Sequence, residues 1–463
     1  MQKGAARPTD SAVAEGESFD VPTNFNWNSE ASSLSPLLTN IPGEPTAAQS
    51  ANTEIVSECL RDGLQGISGY PSVDEMIGYL SLLSSFGIKY ACVGIYPGEE
   101  GILGKRMKEL LARMREETPS IVPSVLSMCT EGSLKWTLEC KEIHPAIESV
   151  VFMGSAPSRR LVQGWDMGFI LNKLDTFIRK TVEMGVPVVA GTEHTTQTFP
   201  EDVRAITRTQ VEAGAYGVAL ADTIGVIRPL GTYRIVRFIR EELKALGVPD
   251  MQLDWHGHRD TGNALNNAMM AAAAGATRIH VVSRGVGERS GNASLEEIVL
   301  NFAAIEAEAG LSPRWKMSKL LELISYYGDM VGVEAPEHGV LGKRYSHTSS
   351  GIHTDAILKA HRLADTARSE GNLVLEGKLR EMSNTVYSAV NPDLVGGVPS
   401  VSVSPWSGQS TVRLAYRNGG GDPTQLTPEA IERCLALANR LGRELSQEEV
   451  EESCAGTTAP HEV

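Results

Sequence analysis

No stretch of about 18 consecutive apolar residues occurs anywhere in the chain, so nothing in it reads as a membrane-spanning helix. The opening residues, MQKGAARPTDSAVAEGESFD, lack the apolar core that a secretory signal needs. Cysteine is sparse and scattered: Cys59, Cys92, Cys129, Cys140, Cys434 and Cys454 include no C-x-x-C spacing, which fits reduced thiols in a cytoplasm. Positive charge is also short. Against 57 Asp and Glu stand 42 Lys and Arg, and the net charge of −15 argues against a nucleic-acid partner or an anionic membrane surface. It leaves room for a phosphate-bearing cofactor held in a local basic pocket.

What remains is an ordinary globular composition, 41% hydrophobic and 21% charged, in 463 residues, enough for two or three domains. Residues 1–52 are rich in Ser, Thr, Pro, Asn and Ala and read as a flexible arm. Phe19, Phe25 and Trp27 are its anchors if it lies instead over a partner subunit. From Glu54 onward, short apolar runs alternate with amphipathic segments, the mark of βα units around a parallel sheet. Strands are expected at Glu54–Cys59, Lys89–Ile95, Ile121–Leu126, Ser149–Met153, Pro187–Gly191, Gly217–Ala221, Met251–His256 and Arg278–Val282. Helices follow, among them Val73–Phe86, Ile102–Glu116, Asp202–Ala213, Arg228–Leu246 and Asn263–Ala274.

Eight such units over 53–310 make a (β/α)8 TIM barrel. The rival, an open doubly wound sheet, would be expected to carry a Gly-rich fingerprint after its first strand, and Arg61-Asp62-Gly63-Leu64-Gln65 is not one. Residues 311–463 read as an appended, mostly helical region. It has helices near Met317–Tyr327, Thr354–Ser369, Pro428–Leu441 and Gln447–Glu452, an extended stretch at Val401–Ala415, and a Gly419–Gly421 linker.

The chemistry concentrates in Leu253-Asp254-Trp255-His256-Gly257-His258-Arg259-Asp260, at the C-terminal end of the seventh strand, where TIM barrels place active sites. Residues i and i+2 of a strand share a face, so His256 and His258 can aim two imidazoles at one ion. A structural histidine pair is the competing reading. Asp62 ends the first strand, one strand away around a closed barrel, and can reach the same ion; a surface Arg61–Asp62 ion pair is the alternative. Two imidazoles and a carboxylate leave coordination positions open. A 2-oxo acid fills two of them through carboxylate and keto oxygens, and the metal then polarises the carbonyl.

Leu60-Arg61-Asp62-Gly63-Leu64-Gln65, His256-x-His258 and Gly285-Val286-Gly287-Glu288-Arg289-Ser290-Gly291-Asn292-Ala293 resemble the DRE-TIM metallolyase superfamily. So do Ala221-Asp222-Thr223-Ile224-Gly225 and Ser346–Ala356 with its Gly351-Ile352-His353-x-Asp355-Ala356 core. The family includes isopropylmalate, homocitrate and citramalate synthases and hydroxymethylglutaryl-CoA lyase. The resemblance implies that Asp62, His256 and His258 bind Mg, Mn or Zn, with Asn292 as a further ligand or near-ligand. It implies that Arg61 polarises the ketone, that Thr223 holds the substrate carboxylate with Gln65 nearby, and that Glu201 is an active-site acid. His353 and Tyr387, in the Tyr387–Pro392 segment, resemble synthase residues that help deprotonate the acetyl methyl of acetyl-CoA. That region is lacking in the shorter lyases. A lone His on a helix flank is ordinarily structural; the motif singles out His353.

The implied reaction is a Claisen-type condensation of acetyl-CoA with a 2-oxo acid, giving CoA and a 2-substituted malate. The family also implies a homodimer in which the appended region completes a neighbour's site. Four positions depart from its pattern. Cys92 stands where a Glu is usual, and a thiol does not supply that charge at neutral pH without activation. Arg259 stands where Asn is common. Aligned on Glu201, Gln197 and Phe199 take the places of a carboxylate-holding Arg and Ser, so Phe199 favours an alkyl or aryl side chain. The chain also ends soon after Glu452, without the regulatory region of leucine-pathway synthases. A lyase acting on a 3-hydroxyacyl-CoA and a catalytically silent homologue stay open as alternatives.

Smaller features carry plainer readings. Gly285-x-Gly287 lacks the Lys-Ser/Thr of a P-loop and is expected to shape the metal site. Trp165-Asp166 reads as a packed ring and a helix cap.

Overall fold

The computed structural model describes residues 45–98 and 101–455. The proposed anchors Phe19, Phe25 and Trp27 lie outside the described residues. Of the expected arm, Ala47–Ala51 is a short helix, α1, fixed by a reciprocal Thr46/Gln49 capping box. The chain forms two compact units. One runs to Lys316 and takes in Leu323–Val333; the other comprises Met317–Glu322 and the described residues from Glu334 on.

The first unit is a closed barrel of eight parallel strands: β1 (Glu54–Ser57), β2 (Tyr90–Ile95), β3 (Val122–Met128), β4 (Glu148–Gly154), β5 (Val188–Glu193), β6 (Gly217–Asp222), β7 (Gln252–Gly257) and β8 (Arg278–Val281). Outside them run α2 (Val73–Phe86), α3 (Ile102–Glu117), α4 (Glu131–Ile143), α5 (Pro157–Gln163), α6 (Met167–Glu183), α7 (Pro200–Glu212), α8 (Pro229–Ala245), α9 (Ala264–Ala274) and α10 (Leu295–Glu308). The barrel closes where β8 pairs with β1, Glu54 opposite Arg278 and Ser57 opposite Val281. Strand residues such as Val188, Val189 and Ala190 are buried on both faces, as a strand between helices and barrel interior requires. Local signals agree with the fold: Ser72 and Glu75 cap α2, Gly87 ends it in the left-handed conformation, and Asp166 caps α6. Trp165 packs on the barrel core beside Leu174 and Val188, as expected.

The N-terminal ends of the strands meet in a buried polar plug. Arg278 donates to Glu148 at 2.9 Å and to the Tyr216 hydroxyl at 3.2 Å, with its guanidinium 3.8 Å from the centre of the Tyr90 ring. Both terminal nitrogens of Arg278 reach an acceptor, which is how a charged side chain is tolerated inside a barrel.

α11 (Leu320–Val331) follows the barrel in sequence. The second unit pairs two short parallel strands, β9 (His347–Thr348) and β10 (Ser400–Val401). Its helices are α12 (Gly351–Ser369), α13 (Leu373–Thr385), α14 (Pro392–Val395), α15 (Gln409–Asn418), α16 (Pro428–Leu441) and α17 (Gln447–Ala455). The extended stretch expected over Val401–Ala415 is corrected here. Only Ser400–Val401 pairs as a strand, and from Gln409 the chain is helical. The Val401-Ser402-Val403-Ser404 alternation is real but short. Beyond it Val412 and Ala415, three apart, bury one helical stripe against Ile431 and Cys434 of α16. Among the described residues no helix is long and apolar enough to cross a membrane.

Two outcomes follow for stability. Arg278→Ala, which strands Glu148 in the barrel floor, should cost about 3 kcal/mol in urea unfolding, and Arg278→Met/Glu148→Gln distinctly less. Glu296, buried at the start of α10 and accepting from the Arg284 backbone, is pushed up by burial from 4.5 to about 7. The folded chain therefore holds this proton more tightly than the unfolded one. The associated stability is complete below pH 4.5 and declines as pH rises to about 7, by at most about 3 kcal/mol. Glu296→Gln should match the parent near pH 4.5 and exceed it in thermal midpoint at pH 8; equal midpoints at pH 8 would contradict this.

Candidate active site

At the C-terminal end of β1 the chain turns through Glu58-Cys59-Leu60-Arg61 into a single helical turn, Asp62–Leu64, with the Gly63 N–H bonded to the Glu58 carbonyl. Gly63 is required by space. A Cβ there would run into the Tyr327 hydroxyl and Val282. Tyr327 in turn donates to the Cys59 carbonyl at 3.3 Å, so α11 pins the turn that presents Asp62. On β7, alternation sends Asp254, His256 and then His258 to the barrel interior.

Three nitrogen and oxygen atoms converge. Asp62 Oδ2 lies 3.1 Å from His256 Nε2 and 3.5 Å from His258 Nε2, and the two imidazole nitrogens are 3.3 Å apart. Ligands on bonds of about 2.1 Å sit roughly 3.0–3.5 Å from one another, so the triangle has the edges of one face of a coordination shell. Asp62 Oδ2 is buried without a hydrogen bond, and so is Asn292 Oδ1. Asn292 belongs to the Gly-rich loop and pairs backbone to backbone with His258; its Nδ2 donates to the Val286 carbonyl at 3.2 Å. Gly287, at φ 149°, makes room for that amide, since a Cβ there would collide with it. Burial would raise Asp62, but Arg61 and the imidazoles hold its carboxyl well below the usual range. Burial, with His256 beside it, brings His258 down to about 4, so the ring is neutral near pH 7 as a ligand must be. These residues form a buried His and carboxylate cluster suited to a divalent metal.

Beneath the triangle runs a second polar group that sequence reasoning did not single out. His280 on β8 sits between Glu58, 2.7 Å from its Nδ1, and Asp254, 3.1 Å from its Nε2. Burial opposes charge on His280, but the two carboxylates raise it to about 9. The other oxygen of Glu58 accepts from Arg61 Nε at 2.8 Å, while Arg61 Nη1 lies 3.4 Å from Asp62. Strand parity was the available signal, because Asp254 shares the inward face with His256. Cys92 is a buried thiol that donates weakly to the Gly94 carbonyl; burial and then Glu58 push it well up, so it is uncharged. The carboxylate bound to Arg61 Nε is Glu58, in the turn just after the first strand. Arg259 lies outside the pocket, with its backbone N–H on Gly291 and its side chain on Ser294.

Above the triangle opens a pocket of about 270 Å³. Arg61, Asp62, His256, His258, Gln65 and Thr223 all line it, and Ile95, Leu126, Val150 and Phe152 make an apolar wall. The backbone N–H of His194, in the left-handed region at φ 57°, donates to Thr223 Oγ1 at 2.7 Å. The Thr223 hydroxyl is the acceptor in that bond, and its own proton is not used in it. Arg289 clasps Asp260 and donates to the Thr223 carbonyl at 2.6 Å. Glu201 and Phe199 are not brought to this pocket. Glu201 stands exposed in the first turn of α7, and Phe199 is that helix's half-buried N-cap. The carboxylate that β5 delivers to the pocket is Glu193, the strand's last residue.

In the second unit, His353 and Tyr387 stack with ring centres 4.0 Å apart, and His353 Nδ1 is 3.3 Å from Thr348 Oγ1. The two residues singled out by motif thus form one pair, 36 positions on from Gly351 at its far end.

Residues 52–326 match the HMGL-like family model. The chain is 25% identical over 387 residues to a homocitrate synthase of Methanopyrus kandleri, covering 82% of this chain and 86% of that protein. It is 25% identical over 397 residues to a 2-isopropylmalate synthase of Sulfolobus acidocaldarius, covering 85% and 92%. Among solved structures, hydroxymethylglutaryl-CoA lyase from Pseudomonas aeruginosa superposes with a TM-score of 0.52 at 20% identity, covering 63% of this chain and 95% of that one; this likeness speaks to the fold.

The triangle makes a direct demand. Protein stripped with a chelator should bind Mn2+ or Zn2+ near one equivalent in calorimetry and gain thermal stability with it, and Asp62→Asn or His256→Ala should weaken binding by at least about tenfold. Equal affinity in parent and variants would remove the site.

Proposed function

The chain belongs to the HMGL-like family, and on that premise we propose that it condenses acetyl-CoA with a small 2-oxo acid bearing an alkyl or aryl side chain, releasing CoA and a 2-substituted malate. The observation that carries this reading is the Asp62, His256 and His258 triangle, set beside Arg61 in the lining of a pocket with an apolar wall. A divalent cation bound there supplies Lewis-acid polarisation of the ketone.

The chain's own groups take the remaining tasks. Arg61 Nη2, left over with Nε committed to Glu58 and Nη1 beside Asp62, donates to the ketone oxygen and to the alkoxide that develops on it. The Thr223 hydroxyl donates to the substrate carboxylate. His353, held against Tyr387, takes a proton from the acetyl methyl, a weak acid that needs a positioned base. The carbanion forms the new carbon–carbon bond, and water then cleaves the thioester, giving a carboxylate and the CoA thiol. Glu193 replaces Glu201 in this proposal as the acid supplied by β5.

The substrate class follows from the wall. Ile95, Leu126, Val150 and Phe152 offer no hydrogen bond to a second carboxylate. Among the described lining residues, Arg61 is tied to Glu58 and Arg289 to Asp260. An apolar side chain is therefore favoured over that of 2-oxoglutarate.

The test is a panel of 2-oxo acids with acetyl-CoA, followed by free thiol and product mass. Branched-alkyl or aryl acids should release thiol faster than 2-oxoglutarate. No release with any acid, together with cleavage of hydroxymethylglutaryl-CoA, would overturn the proposal. Gly191 lines the pocket, and a Cβ there meets Ala219, Phe152 and Val150 only at 3.6–3.7 Å. Gly191→Leu should fold, cut kcat/KM for bulky acids by about 100-fold, and spare the smallest acid, pyruvate.

A further inference from the structure

We propose that His280 is a positioning residue of this reaction: wedged between Glu58 and Asp254, it fixes the carboxylate that aims Arg61 at the bound ketone. This rests on the condensation reading for its kinetic consequence, and on geometry alone for the aim of the guanidinium.

The chain of contacts is continuous and buried. Gln252 Nε2 donates to Asp254 Oδ1 at 2.9 Å; Asp254 Oδ2 faces His280 Nε2; His280 Nδ1 faces Glu58 Oε1; Glu58 Oε2 receives Arg61 Nε. It crosses three consecutive strands at the barrel's closure, β7, β8 and β1. Each carboxylate uses one oxygen on the imidazole and the other elsewhere, so neither can rotate without breaking two bonds. Both imidazole nitrogens face carboxylate oxygens, and the ring serves both as a double donor. Glu58 sits in the turn after β1, where its side chain would otherwise be free to swing toward the pocket. A guanidinium is planar, so fixing Nε fixes the direction of both terminal nitrogens. His280 also lines the pocket, 5.6 Å ring to ring from His256, yet both of its nitrogens are taken. It therefore acts through Glu58 and not as a metal ligand.

His280→Ala and Asp254→Asn, loaded with Mn2+, are compared with the parent in steady-state kinetics, Mn2+ calorimetry and crystal structures. In His280→Ala, kcat should fall by about 100-fold, the scale of a 1 Å misplacement, with KM for acetyl-CoA and Mn2+ affinity unchanged. Added imidazole, which can enter through the pocket, should restore part of the rate in His280→Ala and none in Arg61→Ala. The crystal structure should show Glu58 and Arg61 turned from their paired positions. Unchanged kcat, loss of Mn2+ affinity in step with kcat, or Glu58 and Arg61 still paired as in the parent each overturns the proposal. Should His280→Ala fail to fold, Asp254→Asn loosens the ring from its other side and is judged by the same measures. If the parent turns over no 2-oxo acid, the condensation reading fails, and the variant structures alone decide whether His280 aims Arg61.

Discussion

The ladder between β8 and β1 is the constraint on which the site depends. Until Glu54 sits opposite Arg278 and Ser57 opposite Val281, Asp62 and the histidines of β7 belong to segments almost 200 residues apart in the chain. Closure turns that separation into neighbouring strand ends, 3.1 Å between Asp62 Oδ2 and His256 Nε2. The metal triangle, the Arg61 clamp and the buried His280 all straddle this one seam. Nothing comparable is needed from the opposite side of the barrel, where β3 and β4 contribute apolar wall.

The two ends of the barrel treat charge differently. At the N-terminal end Arg278 meets Glu148, Tyr216 and Tyr90, and both its terminal nitrogens reach an acceptor. At the C-terminal end Glu58 and Asp62 face Arg61, Asp254 lies deeper, in register with Arg278, and buried oxygens of Asp62 and Asn292 are left without hydrogen bonds. Unsatisfied buried oxygens cost stability, and a fold keeps them where a ligand supplies the missing partner.

Much of this was legible in the sequence. Each expected strand lies within two residues of its observed bounds, because a barrel strand is a compact apolar run between turn residues. The i, i+2 spacing of His256 and His258 announced a shared face. The same logic applied to Asp254 and His280 passes unnoticed, since one polar residue in a short strand looks like noise until closure shows it facing another. Glu201 was misplaced for a different reason. The turn Thr195–Gln197 separates β5 from α7, and an acidic residue in a helix's first turn resembles one at a strand's end. Glu193, the last residue of β5, is the one the strand delivers. Phe199 lost its inferred place with it, and the apolar wall of the pocket is made instead by Ile95, Leu126, Val150 and Phe152.

Thr223 is a junction of three loops. Its hydroxyl takes the backbone N–H of His194 after β5, its carbonyl takes Arg289 from the Gly-rich loop after β8, and it belongs itself to the turn after β6. A carboxylate docking on that hydroxyl, as proposed above, would load all three at once. Replacing any one of these loops would remove a contact that holds the other two, so the three are constrained to change together.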